Sequence, residues 1–184
     1  MTTCLVLGGA ACLQADLDAY TGPIDAVVAC NDAGTIWPGE LDAWISIHAN
    51  YFHKKGWLSK RAANGLAPAK SYYTNRAKFA DDFRRDTGLP ITVTDWWFPG
   101  QPHIEEGATM TSGILAARVA LVDMGFDRVV LCGIPMTRQP HFFDKEDWGH
   151  AEKYAKRLPN IPDEYRARIR SMSGATREHF GAPE

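Results

Sequence analysis

The chain has 184 residues and a mass of 20.4 kDa, long enough to bury roughly 70% of the surface its unfolded form exposes without staples or metals. Hydrophobic residues at 45% and charged residues at 23% exclude a disordered chain. A balance of 20 Lys and Arg against 22 Asp and Glu, net −2, argues against a strongly basic nucleic-acid binder.

Short apolar runs alternate with helical stretches, the pattern of βαβ units and a parallel sheet. The first strand is Cys4 to Leu7, and Gly8-Gly9 turn the chain into a helix from about Cys12 to Tyr20, stopped by Thr21-Gly22-Pro23. Ala26 to Cys30 is an unbroken apolar run suited to a strand buried on both faces. A third strand is expected at Ala43 to Ile47 and a polar helix from Tyr51 to Ala63, ended by Asn64-Gly65. Arg76 to Asp86 reads as a helix, Ile91 to Trp96 as β-rich, and Phe98 to Ala108, with Pro99, Gly100, Pro102 and Gly107, as a loop. Thr111-Ser112-Gly113 opens an amphipathic helix carrying Leu115, Val119, Val122 and Met124, closed by Gly125 and followed by a strand from Val129 to Cys132. Beyond Pro135 the chain is loop-like, with helices expected near Lys145 to Arg157 and Asp163 to Arg168 and an edge strand from Ile169 to Met172. No run approaches the 18 apolar residues of a membrane helix. The start lacks a basic leader and reads as a strand, so a cytoplasmic protein is expected. Cys4, Cys12, Cys30 and Cys132, scattered without CxxC spacing, read as reduced, buried thiols.

Charge is uneven. Residues 1–50 carry six acids and no Lys or Arg, whereas residues 54–85 carry nine bases and two acids. A solvated helical face accounts for this, and a surface for an anionic acceptor or nucleic acid is the sharper alternative.

In an open parallel sheet, ligands bind beyond the carboxyl ends of the strands. Three such ends carry small or polar residues: Gly8-Gly9-Ala10, Asn31-Asp32-Ala33-Gly34 and Gly133-Ile134-Pro135. The helix start at Thr111-Ser112-Gly113 is expected at the same edge. Glycines let a backbone approach a ligand, free N–H groups at a helix start favour phosphate, and an Asn side chain both donates and accepts. Each feature alone is an ordinary turn or cap; together at one rim they point to a nucleotide.

Other chemistries are missing: there is no P-loop, no GxSxG elbow and no HExxH. The six histidines are His48, His53, His103, His141, His150 and His179, and none pairs with another at metal-ligand spacing on a helix. His141 and His150 follow the Gly133 strand end, where a proton-transfer group is expected. Trp44, Trp57, Trp96, Trp97 and Trp148 read as packing residues, with ring stacking on a ligand or a homo-oligomer contact as the alternative.

The segments Leu7 to Leu13, Val28 to Asn31, Thr111 to Gly113 and Gly125 to Ile134 resemble the bacterial lipooligosaccharide sialyltransferase family, and they are also similar to the hydroxymethylpterin diphosphokinase type. The resemblance covers about residues 4–34 and 109–135. It implies a single Rossmann-like α/β domain over 1–184, with 136–184 as a loop-rich part closing the site. It implies a nucleotide at the sheet edge, CMP carrying a sugar in the sialyltransferases. Asn31 and Thr111, Ser112 and Gly113 match the family's nucleotide pocket, and Gly149-His150 matches its late base, with His141 second. Gly9 and Ala10 stand where the family has an Asn, Pro135 stands where it has an acid, and its late phosphate-binding tyrosines have no counterpart.

The expected function is therefore metal-independent glycosyl transfer from a nucleotide-sugar to an acceptor hydroxyl. Gly8, Gly9, Ala10, Asn31, Asp32, Thr111, Ser112, Gly113 and Gly133 would hold the nucleotide, Arg138 a phosphate, and His150 or His141 would act as base. The alternatives are an ATP- and Mg²⁺-dependent diphosphokinase-like enzyme using Asp32 and Asp42, or a non-catalytic nucleotide-binding module.

Overall fold

All five residues of β1 (Thr3–Leu7) and of β2 (Ala26–Cys30) are buried, because the sheet is covered on both faces. The computed structural model describes residues 1–101, 110–143 and 146–184. After β1 come α1 (Leu13–Ala19) and β2, then a 3-10 turn at Asn31–Thr35 and β3 (Ala43–Ile45). The expected helix over 51–63 divides at Gly56, which has φ +66°, into α2 (Tyr51–Lys54) and α3 (Trp57–Ala63). Then follow β4 (Tyr72–Thr74), α4 (Ala77–Thr87), β5 (Thr92–Val93), α5 (Ser112–Arg118) with a π turn at Val119–Asp123, and β6 (Arg128–Cys132). The chain ends with α6 (Ala151–Ala155), α7 (Asp163–Arg166), β7 (Ile169–Ser171) and α8 (Gly174–Phe180). Residues 102–108 of the expected loop, and Lys145 at the expected start of α6, lie outside the described residues.

The strands form one parallel sheet in the order β5-β4-β3-β2-β1-β6-β7. Chain order runs outward from β1 to β5 and returns through α5 to place β6 on the other side of β1. The β1/β6 seam is thus the point where the winding reverses, and a crevice opens beyond the carboxyl ends there. Register pairs Leu7 with Cys132, which sets Gly8 beside Gly133.

Alternation along the strands sorts the two covering layers. Leu5, Leu7, Val27, Ala29, Trp44 and Tyr72 pack against Leu13, Phe52, Trp57 and Phe83 on one face. Cys4, Val6, Val28, Ile45, Leu131 and Ile169 pack against α5 and Phe180 on the other. The α5 helix is not amphipathic as expected: every residue from Gly113 to Leu121 is buried, Arg118 included. Its outer side is covered by Phe98, Leu158 and Ile161, and Arg118 is satisfied there by Asp123 at 2.7 Å and the Trp97 carbonyl at 2.8 Å. Beyond residue 136, β7 extends the sheet at the expected edge strand, and α8, which was not expected, packs against β7. Cys4, Cys30 and Cys132 are buried thiols and Cys12 is half-buried, all reduced. No described helix is long and apolar enough to cross a membrane.

Candidate functional site

At the β1/β6 seam the Gly8 N–H donates to the Cys132 carbonyl at 2.8 Å and the Ala10 N–H to the Gly133 carbonyl at 3.1 Å. Gly133 turns with φ +68°, and a Cβ there would come within 2.5 Å of the Gly8 carbonyl oxygen and 2.8 Å of Leu13 Cβ. Only glycine fits this crossing. The Gly133 N–H is held by Asp16 Oδ2 at 2.8 Å, a buried carboxylate that also accepts from Ser173 Oγ at 2.8 Å. These bonds correct one expectation. The N–H groups of Gly8 and Ala10 serve the fold, and that of Ala11 goes to the Pro140 carbonyl at 3.0 Å. In this loop the N–H groups of Gly9 and Cys12 have no acceptor among the described residues, and of the two only Gly9 lines the cavity described below.

Asn31 ends β2 in the left-handed region at φ +52°, which Asn tolerates better than most side chains. Two residues of the β3 strand-end fix it. Trp44 Nε1 donates to its carbonyl at 2.6 Å, and Ser46 Oγ donates to its side-chain Oδ1 at 2.9 Å. That arrangement leaves the Nδ2 protons without an acceptor among the described residues. The turn beneath is clamped by Arg61, 1% exposed, whose guanidinium donates to the carbonyls of Gly34 at 2.8 Å and of Trp37 and Gly39 at 2.9 Å each. The basic segment is therefore not wholly a solvated face.

Thr111 caps α5, its Oγ1 accepting from the Ile114 N–H at 3.3 Å. The N–H groups of Ser112 and Gly113 precede the first intrahelical bonds and have no acceptor among the described residues.

The strand ends enclose one cavity of roughly 290 Å³, close to the lower end of small-molecule sites. Gly8, Gly9, Ala10, Asn31, Thr111, Ser112, Gly113, Gly133, His141 and His150 all line it. Asp32 does not; it stands behind the wall with Oδ2 3.8 Å from His141 Nδ1. His141 is anchored by a bridge to Ala10 and by the Phe142 N–H bonding the Gly9 carbonyl at 2.9 Å. His150, exposed at the rim, immediately precedes α6. Arg138 points away: it is exposed and is not part of the lining.

The sequence reading missed the cation that is there, Arg76, just past β4, along with His48 and Tyr154, whereas Trp148, read as packing with ring stacking as the alternative, also lines the cavity. Recognising Tyr72–Thr74 as a strand would have marked Asn75-Arg76 as a fourth strand end. Trp148 stacks on Tyr154 with centroids 5.6 Å apart. Burial, then the charges of Arg76 and Lys55, push the His48 imidazole below its ordinary pKa.

The paired acids of the diphosphokinase alternative do not meet. Asp32 follows a strand and Asp42 precedes one, so in a parallel sheet they lie at opposite edges. Asp42 is engaged by the Val27 N–H and Lys70 Nζ, each at 2.9 Å. Among the described residues no three His, Cys, Asp or Glu are grouped as metal ligands.

No protein-family model matches the chain, and no curated protein matches it. Solved structures do. The monofunctional α-2,3-sialyltransferase Cst-I from Campylobacter jejuni superposes with a TM-score of 0.70 at 12% identity, covering 99% of this chain and 80% of that one. The Campylobacter jejuni sialyltransferase CstII with the substrate analogue CMP-3FNeuAc gives a TM-score of 0.71 at 14% identity over 100% of this chain and 87% of that one. CstII in complex with a trisaccharide acceptor and CMP gives 0.69 at 14% identity, over 100% and 86%. The diphosphokinase likeness finds no support in these matches. At such low identity the likeness establishes the fold: the chain is a Rossmann-like α/β protein with the architecture of the sialyltransferases.

Proposed function

We propose that the chain is a glycosyltransferase that takes a CMP-linked sugar and transfers it to an acceptor hydroxyl. One observation carries this reading. Three strand ends and a helix start, drawn from positions 8 to 133, line one cavity together with two histidines. The fold likeness to enzymes solved with CMP and a CMP-sugar analogue agrees with it.

In this scheme the N–H groups of Gly9, Ser112 and Gly113 and the Ser112 hydroxyl meet the phosphate, and Asn31 Nδ2 donates to the nucleoside. Donors fixed before the reaction stabilise charge as it grows on the leaving phosphate. The bond between the anomeric carbon and the phosphate oxygen breaks, and CMP leaves with the bonding pair. The acceptor oxygen bonds to that carbon while its proton passes to His150 at the rim. His141, tied to Ala10 and beside Asp32, belongs to the wall around the donor. The scheme assigns no step to a metal ion.

The test is release of CMP from CMP-linked sugars, followed by ³¹P NMR with and without acceptors. His150→Ala should cut turnover by about 10²–10⁴-fold while leaving CMP affinity within about twofold. Full turnover in that variant would remove His150 from the role. Binding of ATP with Mg²⁺ in place of CMP, or of no nucleotide by the folded protein, would overturn the reading.

A further inference from the structure

The cavity is longer than a phosphate cradle needs. Its nucleotide-facing donors cluster at the ends of β1, β2 and β6. Arg76 sits at the end of β4, three strands from β1, a lateral offset of about 14 Å at ordinary strand spacing. Among the described lining residues Arg76 is the one permanent cation, and none is Asp or Glu. Its guanidinium is held by rings, 5.1 Å from the Trp96 centroid and 5.7 Å from that of Phe79. Its Nε is buried with no hydrogen-bond partner among the described residues. A guanidinium positioned by aromatic faces and short of an acceptor is prepared for a planar anion.

The surface leading outward from Arg76 has the same character. His48 stacks on Tyr51 at 5.2 Å and lies 5.3 Å from Phe79, and Lys55 Nζ stands 4.9 Å over the Tyr51 ring. Lys54 and Lys55 are exposed beside it. Aromatic faces suit the apolar faces of sugar rings, and the cations suit acidic substituents. This apron belongs to the basic segment and adjoins the Arg76 end of the cavity, away from the β1/β6 seam.

We propose that Arg76, with the His48–Tyr51–Lys55 stack, is the acceptor subsite, and that the acceptor is an acidic saccharide whose carboxylate is bound by the Arg76 guanidinium. This rests on the reading that the β1/β6 end holds the nucleotide. A nucleic acid is disfavoured because the described lining of the cavity carries one permanent cation, Arg76, and the chain as a whole is acidic.

The test uses the full chain and calorimetric titration, with and without CMP. The probes are short saccharides ending in glucuronate, galacturonate or sialic acid, each paired with its neutral counterpart, and a thymidine oligonucleotide. The expected result is that at least one acidic saccharide binds about tenfold or more tightly than its neutral partner. Arg76→Gln should erase that ratio, Arg76→Lys should retain part of it, and both should keep CMP affinity within about twofold. An unchanged ratio in Arg76→Gln, equal binding of neutral and acidic saccharides, no binding of any, or an oligonucleotide as the Arg76-dependent ligand would overturn the proposal. So would an equal loss of CMP affinity, which would place Arg76 in the donor site. Failure of wild-type protein to bind CMP would count against the nucleotide reading alone, because the saccharide ratio is also measured without it.

Discussion

Asp32 Oδ2 stands 3.8 Å from His141 Nδ1, although the two side chains arrive from the ends of strands on either side of β1. Gly9 lies between them, and a Cβ there would collide with the Asp32 carboxylate and come within 2.9 Å of His141 Nδ1. The Asp32 Oδ1 atom is buried without a partner among the described residues. The carboxylate thus stands beside an imidazole that lines the cavity. Asp32→Asn is expected to weaken CMP binding by about threefold, the worth of a modest ion pair, while leaving the melting temperature nearly unchanged. Titration calorimetry beside a melting curve checks both; unchanged affinity would mean the pair has no part in binding.

Gly9→Ala probes the same corner sterically. Inserting a methyl between Asp32 and His141 should cost about 1–3 kcal/mol, or about 2–4 °C of Tm for each kcal/mol in a chain of this size. It should also abolish CMP binding, because the spare N–H that lines the cavity moves. A variant with wild-type Tm and affinity would contradict the close packing described here.

Arg61 is a structural residue within a basic segment. Arg61→Met leaves the carbonyls of Gly34, Trp37 and Gly39 without their donor in a buried place. The expected loss is about 3 kcal/mol, or a drop in Tm on the order of 10 °C, read by scanning calorimetry. Because the clamp underlies the turn at Asn31–Thr35, CMP affinity should fall as well.

His48 gives a pH signature. Its pKa is lowered in the folded chain by burial and by Arg76 and Lys55, so the unfolded chain takes up a proton first as pH falls. Stability is therefore level above the ordinary histidine value of about 6.5 and declines below it. His179, lowered by burial and by Arg166, adds in the same direction. His48→Gln should flatten part of that acid limb. In an NMR titration, Arg76→Gln should raise the His48 pKa toward its ordinary value; an unmoved titration would separate the two side chains.

Much of the rim was legible because its signals are local. An unbroken apolar run such as Ala26 to Cys30 is a parallel strand, and the small or polar residues that follow it mark the edge where ligands bind. The same logic located Gly8-Gly9, Gly133 and the cap at Thr111. What the sequence hid is non-local. Three-residue β4 has too short a pattern to read, so Arg76 and the end of the cavity it occupies went unseen. Arg138 looked suitable because it is near Gly133 in sequence, but Met136, at φ +48°, turns the chain and leaves Arg138 in solvent. That the Gly8 and Ala10 N–H groups bond β6 depends on strand order, and so does the distance between Asp32 and Asp42. The α8 helix was missed because Ser173-Gly174, its start, reads equally well as a turn.

The central claim is that CMP occupies the rim at the β1/β6 seam. Amide chemical shifts of ¹⁵N-labelled protein, followed as CMP is added, test it most directly. The account predicts saturable shifts at Gly9, Asn31, Ser112, Gly113 and Gly133, with Asp42, Lys70 and Asp127 at the opposite edge unmoved. No shifts at millimolar CMP, or shifts centred on that opposite edge, would contradict it.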